Sequence, residues 1–93
     1  MPKFMELFGY QIFFWSNEGR PTEPLHVHIS KNPHANATKV WINEDGSCEL
    51  ESNSDKIPMK DLKRIMKTIE IYSDDIADKW KEYFGEEPTY HDI

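Results

Sequence analysis

The segment Glu23-Pro24-Leu25-His26-Val27-His28 holds the residues best placed to do chemistry. Two histidines stand two positions apart around a valine. In an extended chain successive side chains alternate faces, so His26 and His28 share one face while Leu25, Val27 and Ile29 share the other. A strand built this way can offer two imidazoles to a metal ion, an anion or a substrate. It can equally bury them as hydrogen-bonded structural groups. Divalent metals need several neutral imidazoles or carboxylates converging at about 2 Å. His34, on the following loop, could swing back as a third ligand, and Glu23, Glu49 or Glu51 could complete the set. A divalent metal is the only cofactor the residues suggest. No His-Glu-x-x-His, zinc-finger or Ser-His-Asp pattern and no phosphate-binding Gly loop backs the pair. Metal or catalytic site, polar recognition surface and satisfied structural pair all stay open.

The elements around the pair follow from pattern. Tyr10 to Trp15 is aromatic and β-branched and reads as a strand, followed by turn chemistry from Ser16 to Pro21. Leu25 to Ser30 is the second strand. Thr38 to Asn43 alternates, with Val40 and Ile42 on one face and Lys39 and Trp41 on the other. Asp45-Gly46 is a hairpin signal, and Ser47 to Glu51 returns as a fourth strand. Beyond Pro58, Leu62, Ile65, Met66, Ile69, Tyr72, Ile76, Trp80 and Phe84 recur at spacings of three and four, an amphipathic helical stripe. Ser73-Asp74-Asp75 interrupts it with N-cap residues, so either two helices meet there or one helix kinks. Gly85 is the expected stop. The fold class is α+β: an antiparallel sheet of about four strands, with the C-terminal helical segment packed on one face. One domain is expected, with a sheet region to residue 57, a helical region over 58–85 and a tail over 86–93. The strand's apolar face should meet the helices and leave the histidines on the opposite, exposed face.

Composition sets the outer bounds. Ninety-three residues, 38% hydrophobic and 30% charged, suit one modest core. No apolar run approaches the roughly 20 residues that span a bilayer. Nothing at the N-terminus resembles a signal peptide, and the lone Cys48 has no internal disulfide partner. Cytoplasmic residence is the default expectation, and Cys48 reads as a structural thiol. The net charge of −6 is unevenly placed. Acidic and basic residues balance up to Ile69, and the excess lies from Glu70 onward. Lys60, Lys63, Arg64 and Lys67 form a basic helix face, a candidate interaction surface for phosphates, an acidic protein or the chain's own acidic second half. The strand aromatics Tyr10, Phe13, Phe14, Trp15 and Trp41 could stack bases, although large rings also fill small cores.

The chain resembles a small bacterial family, the domain of unknown function 4160. The matching stretches are Met1-Pro2, Phe8-Gly9-Tyr10-Gln11-Ile12, Glu23-Pro24-Leu25-His26-Val27-His28, the helix start from Ile57 to Leu62, and Lys79-Trp80-Lys81. Many members carry a Pro-Pro-His-Phe-His core; this chain keeps the histidine spacing but not the flanking residues, and His34 lies outside the pattern. The resemblance implies a compact domain often found beside a second small protein, as in toxin–antitoxin pairs. It directs attention to His26 and His28 without implying an activity. The leading expectation is a noncatalytic interaction or regulatory module. Its partner would be the adjacent-gene protein or a second copy, with nucleic acid a weaker candidate and no membrane. The alternative is a small metal-dependent hydrolase or nuclease built on His26 and His28.

Overall fold

The computed structural model describes residues 3–15 and 23–93. Within them the chain forms β1 (Lys3–Leu7), β2 (Tyr10–Phe13), β3 (His26–Ser30), β4 (Thr38–Ile42), β5 (Cys48–Ser52), α1 (Met59–Ile71) and α2 (Ser73–Phe84). The strands make one antiparallel sheet in chain order, β1-β2-β3-β4-β5, so the histidine strand is central. The α+β class and the antiparallel meander stand as the alternation of apolar residues indicates. The turn expected over Ser16–Pro21 lies outside the described residues.

Strand number is the first correction: there are five strands, not about four. The additional one, β1, is joined to β2 by the two-residue turn Phe8-Gly9, with Leu7 opposite Tyr10. Both turn residues have positive φ, 52° and 84°, as a type I′ hairpin turn requires. Phe8 carries no sequence signal for that conformation, because a side chain there costs about 1–2 kcal/mol. The hairpin therefore escapes turn chemistry built on Asn and Gly. Phe8 stays half exposed, and the Arg64 guanidinium of α1 lies over its ring at 4.0 Å.

The helical stripe resolves into two helices. Their junction is Tyr72, whose N–H donates to both Thr68 and Ile69 carbonyls at 3.2 and 3.1 Å. Ser73 lies inside α2 and makes no capping bond, so Tyr72 rather than Ser73, Asp74 or Asp75 is the cap residue. Gly85 ends α2 with φ 78°. Leu62, Ile65, Ile69, Ile76 and Trp80 turn inward against Ile12, Val27, Ile29, Val40 and Ile42 of the sheet. Burying each such aliphatic side chain contributes about 1.5–3 kcal/mol, enough to orient both helices on this face. No helix among the described residues is long and apolar enough to cross a membrane.

The turn between β4 and β5 touches the helix junction. Gly46 has φ 90°, and a Cβ there would sit 2.8 Å from Ser73 Oγ. A serine hydroxyl can rotate away; the backbone conformation cannot adapt. Gly46→Ala should therefore destabilise the fold by about 1–2 kcal/mol. Pairing it with Ser73→Ala should leave most of the loss in place, which urea denaturation of the single and double variants would measure.

Candidate functional site

Cross-strand register assembles the polar face of the sheet. His28 faces Phe13 of β2 and Lys39 of β4, while His26 faces Trp41, which in turn faces Glu49 of β5. The two histidines do share a face opposite the helix-covered one. They are not exposed, however: His26 retains 4% and His28 6% of its accessible surface. The expected open histidine surface is instead the floor of a pocket of about 500 Å³, walled by Trp15, Glu23, Lys39, Asn36, Ser52 and Ser54. Rings supply the cover. Phe13 stacks on His28 with centroids 5.7 Å apart, and His26 stands edge-on to Trp41 at 5.7 Å and to Trp80 of α2 at 5.4 Å. The imidazole centroids are 5.2 Å apart.

Both rings are held in the same way. His26 Nδ1 lies 2.9 Å from the Pro24 carbonyl and His28 Nδ1 lies 3.2 Å from the Ala37 carbonyl. A carbonyl only accepts, so each Nδ1 carries the proton and each Nε2 carries a lone pair. Neither Nε2 has a hydrogen-bond partner among the described residues. Burial holds both imidazoles neutral: it pulls His26 down to about 4, from an ordinary 6.5, against the opposing effect of the Pro24 carbonyl. It lowers His28 as well, again more than the Ala37 carbonyl raises it. The nearby Lys39 ammonium adds to the depression of both.

The carboxylates expected to complete a metal set are engaged elsewhere. Glu23 stands at the pocket, but Lys39 Nζ donates to its Oε1 at 2.5 Å, and that hydrogen bond is the main reason its carboxyl titrates low. Glu51 accepts from the Trp41 indole at 2.8 Å. Glu49 pairs with His91 at 2.8 Å. His34 lies at a separate depression beside Tyr10 and Lys56, bonded to Asp55 at 2.8 Å. Among the described residues no three His, Cys, Asp or Glu side chains form a group able to hold a metal. Cys48 is inert in this setting, since burial, with help from Glu70, pushes its thiol up to about 12.

Two contributors escaped the sequence reading. Lys39 puts the cation into the pocket, and its place was implicit: aligning the apolar faces of β3 and β4 sets Lys39 beside His28. His91 is the other. The tail folds back, the Leu25 N–H donating to the Thr89 carbonyl at 2.8 Å, and His91 stacks on Trp41 with centroids 4.9 Å apart. No local pattern in residues 86–93 announces that return. The basic helix residues Lys60, Lys63, Arg64 and Lys67 are all exposed on α1, away from the histidine pocket.

The family model for the domain of unknown function DUF4160 matches residues 9–81. The chain belongs to this family. The match includes the histidine strand, Lys39 and both packing stripes, whereas β1 and the returning tail lie outside it. No curated protein and no solved structure matches the chain.

The depressed histidines make stability pH-dependent. Between the unfolded value of 6.5 and the folded value of about 4, the unfolded chain binds the His26 proton and the folded chain does not. Stability is therefore fully present above pH 6.5 and falls as pH drops toward 4, by about 3 kcal/mol for His26 alone. His28 adds in the same direction. Urea midpoints measured across that window should fall steeply for the native chain, and less steeply for His26→Gln.

Proposed function

We propose that the histidine pocket is the working site and that it performs acid–base chemistry on an anionic ester, as a small hydrolase or nuclease. The observation that carries this reading is the way the two rings are held: backbone carbonyls take both Nδ1 protons and leave the Nε2 lone pairs without a partner among the described residues, on two imidazoles that line the pocket. Neutral imidazoles are the form in which histidine accepts a proton, and burial keeps them neutral across the physiological range. Lys39 supplies the positive charge that a phosphate or other anionic group requires. Its ion pair with Glu23 is partly exposed, and such pairs are worth only about 0–1 kcal/mol, so a substrate anion can displace the carboxylate. One Nε2 then removes a proton from a water whose oxygen bonds to the central atom of the ester; the bond to the leaving alkoxide breaks and the imidazolium returns the proton to it, while the asparagine and serine side chains of the wall orient the ester.

A metal-dependent version uses the same atoms. Ring orientation by an Nδ1–H bond to a backbone carbonyl is the usual outer-shell support of histidine metal ligands. The two Nε2 atoms would supply two ligands to a metal that activates a bound water; a third is not in place among the described residues, and Glu23 would become one only once released by Lys39. In this arrangement Lys39 must move, because it occupies the carboxylate a metal needs.

A second reading, an interaction module within a toxin–antitoxin-like pair, is supported by the segregated charge of the two helices and by the genetic setting that the family resemblance implies. The two readings are compatible, since an enzyme can be held by a partner. Co-expression with the adjacent-gene protein should give a complex that survives purification; free passage of both proteins would remove the partner reading.

The catalytic reading is tested with labelled single-stranded oligonucleotides and simple aryl phosphodiesters, in chelator and in zinc or manganese. His26→Ala with His28→Ala should lower turnover by about 10²–10⁴-fold. Lys39→Met should chiefly raise KM. Absence of turnover in both conditions, or turnover and metal affinity indifferent to the double substitution, would sink the proposal.

A further inference from the structure

The outer surface of the helices carries a pattern that the histidine pocket does not use. On α1 the buried residues are Leu62, Ile65 and Ile69. Lys60, Arg64, Lys67 and Ile71 follow one another at spacings of four, three and four on the opposite side, with Lys63 beside them. On α2 the buried residues are Ile76 and Trp80, and Asp75, Asp78 and Glu82 occupy the opposite side at spacings of three and four, with Asp74 beside them; of the exposed lysines on this helix, Lys81 is paired with Glu87 at 3.3 Å and Lys79 lies to the flank of the stripe. Both helices pack on the same face of the sheet, so both charged stripes point away from it. One stripe is predominantly basic and the other predominantly acidic, the exceptions being Glu70 on α1 and Lys79 and Lys81 on α2. Between them, at the helix junction, Ile71 keeps 75% and Tyr72 42% of its accessible surface. Among the described residues, no ion pair joins the two stripes within one chain.

We infer that this surface is the interface of a homodimer, with a second copy of the chain as its occupant. A two-fold axis through the Ile71–Tyr72 junction sets the basic α1 of each copy along the acidic α2 of the other. Such an interface is isologous, so its two halves must be self-complementary, and a basic segment and an acidic segment flanking an apolar centre satisfy that requirement. The helices match in length, 13 and 12 residues, so the stripes can run in register. An apolar centre with a charged rim is also the usual anatomy of a protein interface. Nucleic acid fits less well, because the acidic stripe beside the basic one repels phosphate. The inference is independent of the chemistry of the histidine pocket.

Charge reversal provides a test with internal controls. In one variant Lys63→Glu and Lys67→Glu make α1 acidic; in the other Asp75→Lys and Asp78→Lys make α2 basic. All four side chains face away from the core, and thermal melting would verify folding. Sedimentation of the native chain should give a dimer that weakens with salt. Each variant alone should dissociate at least about tenfold more readily, since like charges then oppose one another at both halves of the interface. Mixed together, the two variants should form a one-to-one heterodimer, because each reversed stripe meets its complement. Ile71→Asp should weaken the native dimer without being rescued by either variant. A native chain that is monomeric at low salt, or a mixture that stays monomeric, would overturn the inference. Binding of the native monomer to an oligonucleotide or an acidic protein through Lys63 and Lys67 would overturn it as well.

Discussion

The site depends on the two-sided burial of the central strand. All five residues of β3 are buried, although only Val27 and Ile29 are apolar. A central strand in a sheet with helices on one face normally leaves its other face to water. Here the second face is roofed by Phe13, Trp15 and Trp41, with Trp80 reaching His26. His26, His28 and Ser30 are thus polar groups in an enclosed place, and each must find a partner. Each accepts or donates to backbone within the described residues: His26 to Pro24, His28 to Ala37, Ser30 to Asn32. That satisfaction rigidifies the rings and fixes the tautomer, so a structural necessity and a chemically useful orientation have one cause.

Burial also decides the electrostatics. The bonds to Pro24 and Ala37 favour the charged imidazole, and desolvation opposes it more strongly. Lys39 pushes in the same direction as desolvation. Its own charge is shared between the Glu23 carboxylate and the Trp41 ring, 4.4 Å from Nζ. The pocket therefore combines two neutral acceptors with one cation whose principal partner is more than half exposed. A ligand that brings both a donor and an anion gains at each of these points, whereas a purely cationic ligand meets the repulsion of Lys39 unless Glu23 turns from Lys39 toward it.

Much of this arrangement is legible in the amino-acid order. Alternation in β3 and β4 places the histidines, Lys39 and Trp41 together once the apolar faces are aligned, and the three-and-four spacing from Leu62 to Phe84 places the helices. What escapes has identifiable physical causes. Strand β1 hangs on Phe8 in a left-handed conformation, an exception to the steric rule that makes turns readable. The histidines' burial depends on rings from β2, β4 and α2, which converge only in three dimensions. The helix boundary at Tyr72 carries no side-chain capping bond from the serine and aspartates that would ordinarily cap a helix, although Asp74 and Asp75 lie in the first turn of α2; apolar contacts on either side outweigh a cap worth about 1 kcal/mol.

The C-terminal tail illustrates how a segment with little local signal acquires a definite place. Its contacts are few but spread: Thr89 accepts from Leu25 at the start of the histidine strand, Asp92 accepts from the Glu44 N–H at 3.3 Å, and His91 joins Trp41 to Glu49. Each contact alone is of the order of 1 kcal/mol, comparable to the cost of ordering a single residue. They hold because they close on one another across β3, the β4–β5 turn and β5. The same geometry makes Trp41 the common neighbour of tail and site, stacked on His91 on one side and edge-on to His26 on the other. Displacing the tail would remove the His91 ring from Trp41, which strand pairing with His26 and the bond to Glu51 hold in place on the sheet. Trp41 in this way links the ring of His26 to residues about 65 positions later in the chain.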